Sequence, residues 1–171
     1  MEEFQTRWQS NIGIPPIAEL FKEEFKDNWV RIYGLENGRR LPRSEKEKKE
    51  VLNRANKIIS SLGAKKIFVI TTDLGKEIPH RTYWRAIAEE ETNGYPARNV
   101  YINTIEWNDG CLDELLLGIA DDEYGGVILA SPDFQWLLHP YDGGFDVIVF
   151  DDKKRRSICQ SLKAFEPTQR L

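Results

Sequence analysis

Cysteine and histidine are scarce in this chain: two of each in 171 residues. Cys111 and Cys159 have no CxxC partner and no spaced histidine, which excludes zinc-finger and dithiol redox motifs. Both fall on apolar faces of expected helices and read as buried free thiols. Long hydrophobic runs are also missing; none approaches the ~18 residues that cross a bilayer. The opening MEEFQTRWQS is acidic and polar where a secretory signal would be basic and then apolar, so a cytoplasmic protein without a membrane partner is expected. Glycine-rich phosphate loops are absent too. GLENGRR and DEYGGV lack the G-x-G-x-x-G and G-x-x-x-x-G-K-[ST] spacings that let backbone amides cradle a phosphate, and LGKEIPH is too short for either. No cofactor is expected, and there is no internal repeat or low-complexity tract.

The most informative absence is of positive charge. Residues 99 to 152 contain 12 acids and no lysine or arginine, a net charge of -12. Residues 1 to 98 carry 18 basic and 15 acidic side chains, and 153 to 171 carry six basic residues against Glu166, so the chain as a whole stands at -4. If the like-signed side chains of the acidic third share one outer patch, the protein has a surface suited to a basic partner.

What is present points to one globular domain. A chain of this length buries roughly 70% of the surface its unfolded form exposes, and 40% hydrophobic residues, with five tryptophans and eight phenylalanines, supply the core. EEFQTRWQS makes a short helix, within a segment 1–13 expected at the periphery. Pro16 opens a second helix through PIAELFKEEFKDN, and WVRIYGL is a strand. The spacing predicts a helix over 45–62, capped by Ser44 with Glu47 completing a capping box and Gly63 just past its end. KKIFVITT and NVYINTIEW read as strands, and Asp109 is placed to cap a helix carrying Leu112, Leu115, Leu116 and Ile119. Over 73–98 neither helical nor strand period dominates. GGVILA, FQWLLH and FDVIVF follow, separated by connections too short for parallel crossovers, so they form an antiparallel meander. A last amphipathic helix, 153–165, starts after Asp151 or Asp152 and carries Ile158, Cys159, Leu162 and Phe165. The expected fold is a single α+β domain spanning 1–171, a mostly antiparallel sheet with the C-terminal three-strand meander covered by helices.

The richest stretch chemically is HPYDGGFDVIVFDD, 139 to 152. If Asp142-Gly143 are the central turn residues, Tyr141 faces Gly144 and His139 lies opposite Asp146; if Gly143-Gly144 form the turn, Asp146 meets Tyr141 instead. The first register allows a histidine oriented by a carboxylate, as in general bases, although such a pair also satisfies polar groups on a half-buried strand. No nucleophile motif accompanies it. Asp146 with Asp151 and Asp152 offers oxygen ligands but matches no calcium loop, so no metal is expected. Asp121, Asp122 and Glu123 sit at the carboxyl end of a helix, where the macrodipole disfavours them, so some other influence must hold them there. Residues 31 to 66 hold 11 basic side chains against four acids. They read as the solvated face of a helix and its leading loop, and a nucleic-acid surface over 39–57 is the weaker reading.

WVRIYGLENGRRLP with the SEKEKKEVLNRANKIISSLG helix, the FVITTD strand and WLLHPYDGGFDVIVFDD resemble a family of small bacterial proteins of unknown function. Its members share a WVRF-x-SLP-x-x-KRY stretch followed by a helix and end in W-L-x-HPYDGGADVI. The likeness covers roughly 14 to 165 and matches the pattern at Arg31, Trp136, His139, Tyr141, Asp142 and Asp146. Ile32-Tyr33-Gly34 and Phe145 depart from it, and the arginine of a broader YDDRGLDVI group is missing. The resemblance brings no activity, substrate or cofactor. Two expectations result. One is a non-enzymatic binding module that docks a basic protein through 99–152, immunity- or antitoxin-like, with Asp121, Asp122 and Glu123 on the docking surface and Arg31, Trp136, Tyr141 and Asp142 as further binding residues. The alternative is a small enzyme with His139 as base, Asp146 orienting it, and Arg31 or Tyr141 holding an anionic substrate.

Overall fold

The computed structural model describes residues 1–162 apart from 64, 75, 77, 79, 80 and 93, with the side chain of residue 37 also outside the description. The fold is α+β: a seven-stranded antiparallel sheet with helices on both faces. Its strands are β1 (Trp29–Tyr33), β2 (Lys66–Thr72), β3 (Thr82–Ile87), β4 (Arg98–Glu106), β5 (Ile128–Ala130), β6 (Trp136–Tyr141) and β7 (Gly144–Val149). They lie in the order β1-β7-β6-β5-β2-β4-β3, so the expected meander occupies one half of the sheet and β1 and β3 form its edges. Among the described residues no helix is long and apolar enough to cross a membrane.

On the first face lie α3 (Glu45–Ser61), α4 (Asp113–Ala120) and α5 (Asp152–Ser161). The apolar stripe of α3, Val51, Ala55, Ile58 and Ile59, meets Leu116 and Ile119 of α4 and Val147 and Val149 of β7 in one core. Each of the valine, leucine and isoleucine side chains stabilises the fold by roughly 1.5–3 kcal/mol. Ser44 caps α3 by accepting from the Glu47 amide at 3.3 Å. Glu47, however, reaches back one residue further than a capping box requires, to the Arg43 amide at 2.5 Å and to the Arg39 guanidinium. Asp151 caps α5 through the Lys154 amide, and Phe165, expected on that helix, lies outside the described residues.

The second face is covered by α1 (Glu2–Asn11), a 3-10 turn at Ala18–Leu20 and the single helical turn α2 (Phe21–Glu24). The N-terminal segment expected at the periphery is docked: Trp8 is 2% exposed, and Ile12, Ile17 and Phe21 join Trp84, Phe134 and Leu137 in a second core. The helix expected through Asn28 stops at Glu24, because Asn28 already belongs to the ladder, its carbonyl accepting from Val149 and its side chain donating back to the Val149 carbonyl. Asp109 does not cap α4. Gly110 adopts φ +85°, and the turn it makes postpones the helix to Asp113, where Leu112 stands at the cap without a side-chain bond. That turn also leaves Cys111 exposed rather than buried on a helix. The ambiguous segment supplies β3, an edge strand with an irregular register between Tyr83 and Arg85.

Candidate functional site

The two motifs that stand out in the sequence are brought into register across three strands. Arg31 of β1 pairs with Asp146 of β7, and Asp146 pairs on its other side with His139 of β6. Side chains two apart on a strand share a face. The second face therefore runs from an apolar row, Trp29, Ile148 and Leu137, to the polar row Arg31, Asp146 and His139, and then to Tyr33, Gly144 and Tyr141 beside the turn. Sheet and cover thus meet an ionic cluster at this end of an otherwise hydrophobic surface.

The turn is built on Asp142-Gly143, the first of the two registers, with Tyr141 opposite Gly144. Gly144 has φ +151°, and a Cβ there would run into the Ile32 carbonyl on β1. Glycine is what lets β7 approach β1 this closely, and no side chain rises between Tyr33 and Tyr141. Arg40 holds the turn from outside through Asp142, at 2.9 and 2.7 Å.

Arg31 is fixed on three sides. Its Nε and Nη2 donate to the two carboxylate oxygens of Asp146 at 2.9 and 3.0 Å. Its guanidinium carbon lies 5.1 Å from the Trp29 ring centroid and 5.4 Å from that of Tyr141, within range of cation–π attraction. Hydrogen bonding to Asp146 raises the guanidinium pKa above its usual value, with the Tyr141 and Tyr33 phenols near enough to add to it. The Asp146 side chain is 12% exposed, whereas that of Arg31 is 36% exposed. Nη1 has no partner among the described residues, so the end of the fork stays open. The Trp29 indole N–H is buried without an acceptor there, at a cost of about 1–3 kcal/mol.

His139 stands opposite Asp146 but makes no hydrogen bond to it; the carboxylate is given to Arg31. Burial lowers the imidazole pKa, against the fields of Asp146 and Glu19 and with that of Arg31, so the ring is neutral at pH 7. Its ring leans on Tyr141, with centroids 5.6 Å apart. Burial, reinforced by Asp146, pushes the Tyr141 phenol up to about 12, so it keeps its proton and can donate. An aspartate engaged on both oxygens does not orient a histidine as a general base requires. Four clefts formed by described residues lie elsewhere: about 620 Å³ between α1 and β3 beside Trp84, 360 Å³ beside Asn53 and Trp107, 330 Å³ beside Lys65, and 200 Å³ beside Arg39. None has His139 in its walls.

The remaining expected residues are not part of this cluster. Trp136 points to the first face and is buried in that core. Asp121, Asp122 and Glu123 follow α4, but Asp121 binds Lys48 at 3.0 Å and Glu123 binds Lys76 at 3.2 Å. Asp122 adopts φ +62°, the left-handed position that closes many helices. Those contacts hold Asp121 and Glu123 against the macrodipole. Glu106 likewise meets Lys66. With Asp142 and Asp146, five of the twelve acids of the acidic stretch pair with cations from residues 31–76 and so are not free charges of one patch. Arg39, Arg40 and Lys48 of the basic stretch are engaged in the same way. Among the described residues no three histidine, cysteine or acidic side chains are grouped to hold a metal ion. Trp29, Tyr33 and Arg40 were not singled out from the sequence. The signal for the first two was their spacing of two from Arg31 on the same strand.

No curated protein and no solved structure matches this chain. A family model for a domain of unknown function, DUF3885, matches residues 17–165, a span that contains Arg31, His139, Tyr141 and Asp146 together with every strand of the sheet. The chain belongs to the DUF3885 family.

Proposed function

We propose that this chain is a non-catalytic binding module that recognises an anionic group at the open end of the Arg31 fork. The observation that carries the reading is the guanidinium held side-on by Asp146 and faced by Trp29 and Tyr141, with Nη1 unengaged among the described residues. A guanidinium ordered in advance loses little freedom on binding and presents parallel N–H groups to an oxyanion. Docking of a basic protein, with the immunity- or antitoxin-like role attached to it, has weaker support, because five of the carboxylates it relied on already face intramolecular cations. The enzymatic alternative lacks its oriented base.

Nuclear magnetic resonance of the ¹⁵N-labelled protein, titrated with small anions at constant ionic strength, tests the reading. Saturable shifts are expected at the Arg31 Nε–H, the Trp29 indole N–H and the amides of β1 and β7. Shifts spread evenly over the surface, or unchanged in Arg31→Lys, would remove the site.

A further inference from the structure

Resting on that anion-binding reading, we infer that the ligand is a monocarboxylate carried on a flat, aromatic group. Three features select it. The first is the donor set. One guanidinium edge, with Nε and part of Nη2 already bound to Asp146, leaves the N–H groups of Nη1 and the outer N–H of Nη2, which match the two coplanar oxygens of a carboxylate. The second is the charge balance. Asp146 offsets Arg31, Asp142 offsets Arg40 and Glu19 offsets Arg98 at 3.2 Å, while the Lys22 ammonium sits 5.3 Å from the Trp29 ring centroid. His139 is neutral. A single negative charge suits this surplus, whereas a phosphate dianion would bring a second charge beside Asp146 and Asp142 beyond what these described cations balance.

The third is the wall. Trp29 and Tyr141 both lie within cation–π range of the guanidinium, Tyr33 shares the row of Tyr141 with Gly144 between them, and the Tyr141 phenol keeps its proton and can donate. Aromatic faces beside a carboxylate site favour a ligand whose own ring stacks or meets them edge-on. Gly144 stands between the two tyrosines in this row and adds no side chain of its own.

The test compares benzoate, acetate and inorganic phosphate on the full chain, by the same resonances and by calorimetry, at constant ionic strength. Benzoate should bind at Arg31 about tenfold more tightly than phosphate, a difference of the size that fork geometry and charge matching produce. It should also exceed acetate. Arg31→Lys keeps the charge beside Asp146 but removes the fork and should abolish saturable benzoate binding. Tyr141→Leu leaves the Arg31–Asp146 ion pair in place but removes the ring, so it should weaken benzoate severalfold and by more than it weakens acetate. Phosphate binding at Arg31 as tightly as benzoate would overturn the carboxylate assignment and leave the anion site standing. Equal benzoate and acetate affinity, or no effect of Tyr141→Leu, would overturn the aromatic part. No shift at Arg31 or Trp29 with any of the three anions would overturn both this inference and the reading beneath it.

Discussion

His139 shows what a residue's neighbours do to a reading made from spacing. Its place opposite Asp146 follows from counting outward from the Asp142-Gly143 turn, and the structure has that register. The partner of Asp146 could not be counted in this way, because Arg31 arrives from a strand 115 residues earlier in the chain. What His139 retains is a half-buried ring that desolvation keeps neutral at pH 7. Its folded pKa lies below the ordinary value near 6.5, so between those two values the unfolded chain binds more protons than the folded one. Stability therefore rises with pH across that window and is lost as pH falls below about 6.5, with a slope of at most about 1.4 kcal/mol per pH unit for one proton. Urea unfolding followed from pH 7.5 to 5.5 should show this loss in the wild type and a flatter profile in His139→Gln. The other histidine, His80, is present in both proteins and cancels in the comparison. The depressed carboxyls of Glu47 and Glu91 titrate below the range.

Among the elements, those with strong local signals were the legible ones. The cap at Ser44, the stripe of α3, the short connections of the meander and the cap at Asp151 each follow from residues close in sequence. The errors arose where packing outweighed the local pattern. The segment 17–25 has apolar residues near helical spacing, yet Ile17, Ala18, Leu20 and Phe21 are all buried, so it lies as an irregular cover pressed on the sheet rather than as an amphipathic helix. Gly110 has a positive φ that no pattern of hydrophobic residues announces. Two glycines separate local strain from strand approach. Gly63, at φ +69° past the end of α3, has nothing within 4 Å of where a Cβ would stand. Gly63→Ala should cost about 1 kcal/mol, from backbone strain alone. Gly144→Ala adds a collision with the Ile32 carbonyl and forces β7 away from β1, so a loss of roughly 3 kcal/mol or more is expected. Chemical denaturation of both variants measures the difference. Amide exchange should show the extra loss concentrated on β1 and the end of β7 at the turn, the strands that carry Arg31 and Asp146.

For the whole molecule, the segregation of charge along the chain is legible at once, but its meaning is not, because a one-dimensional count cannot say whether opposite blocks fold together. Here they do. Lys48, Lys66, Lys76, Arg31 and Arg40 face Asp121, Glu106, Glu123, Asp146 and Asp142, so the basic part of the first 98 residues lies against acids of the stretch that follows. The two ways of placing the acids differ in the sign of a salt effect. Twelve acids crowded on a self-repelling patch would be relieved by screening, and added salt would stabilise the fold. Acids matched by cations lose attraction when screened, and salt destabilises. Most of these pairs are exposed, so each contributes little and the sum is modest. The melting temperature should accordingly fall by a few degrees as sodium chloride rises from low to moderate concentration, before preferential exclusion of salt takes over. Reversing one partner, Lys48→Glu, places a second acid against Asp121 and turns that contact repulsive. The variant should melt lower than the wild type at low salt, and the gap should narrow as salt is added. A wild-type melting temperature that climbs with the first additions of sodium chloride would mean that the carboxylates repel one another more than they are held, and would return the acidic stretch to consideration as a docking surface.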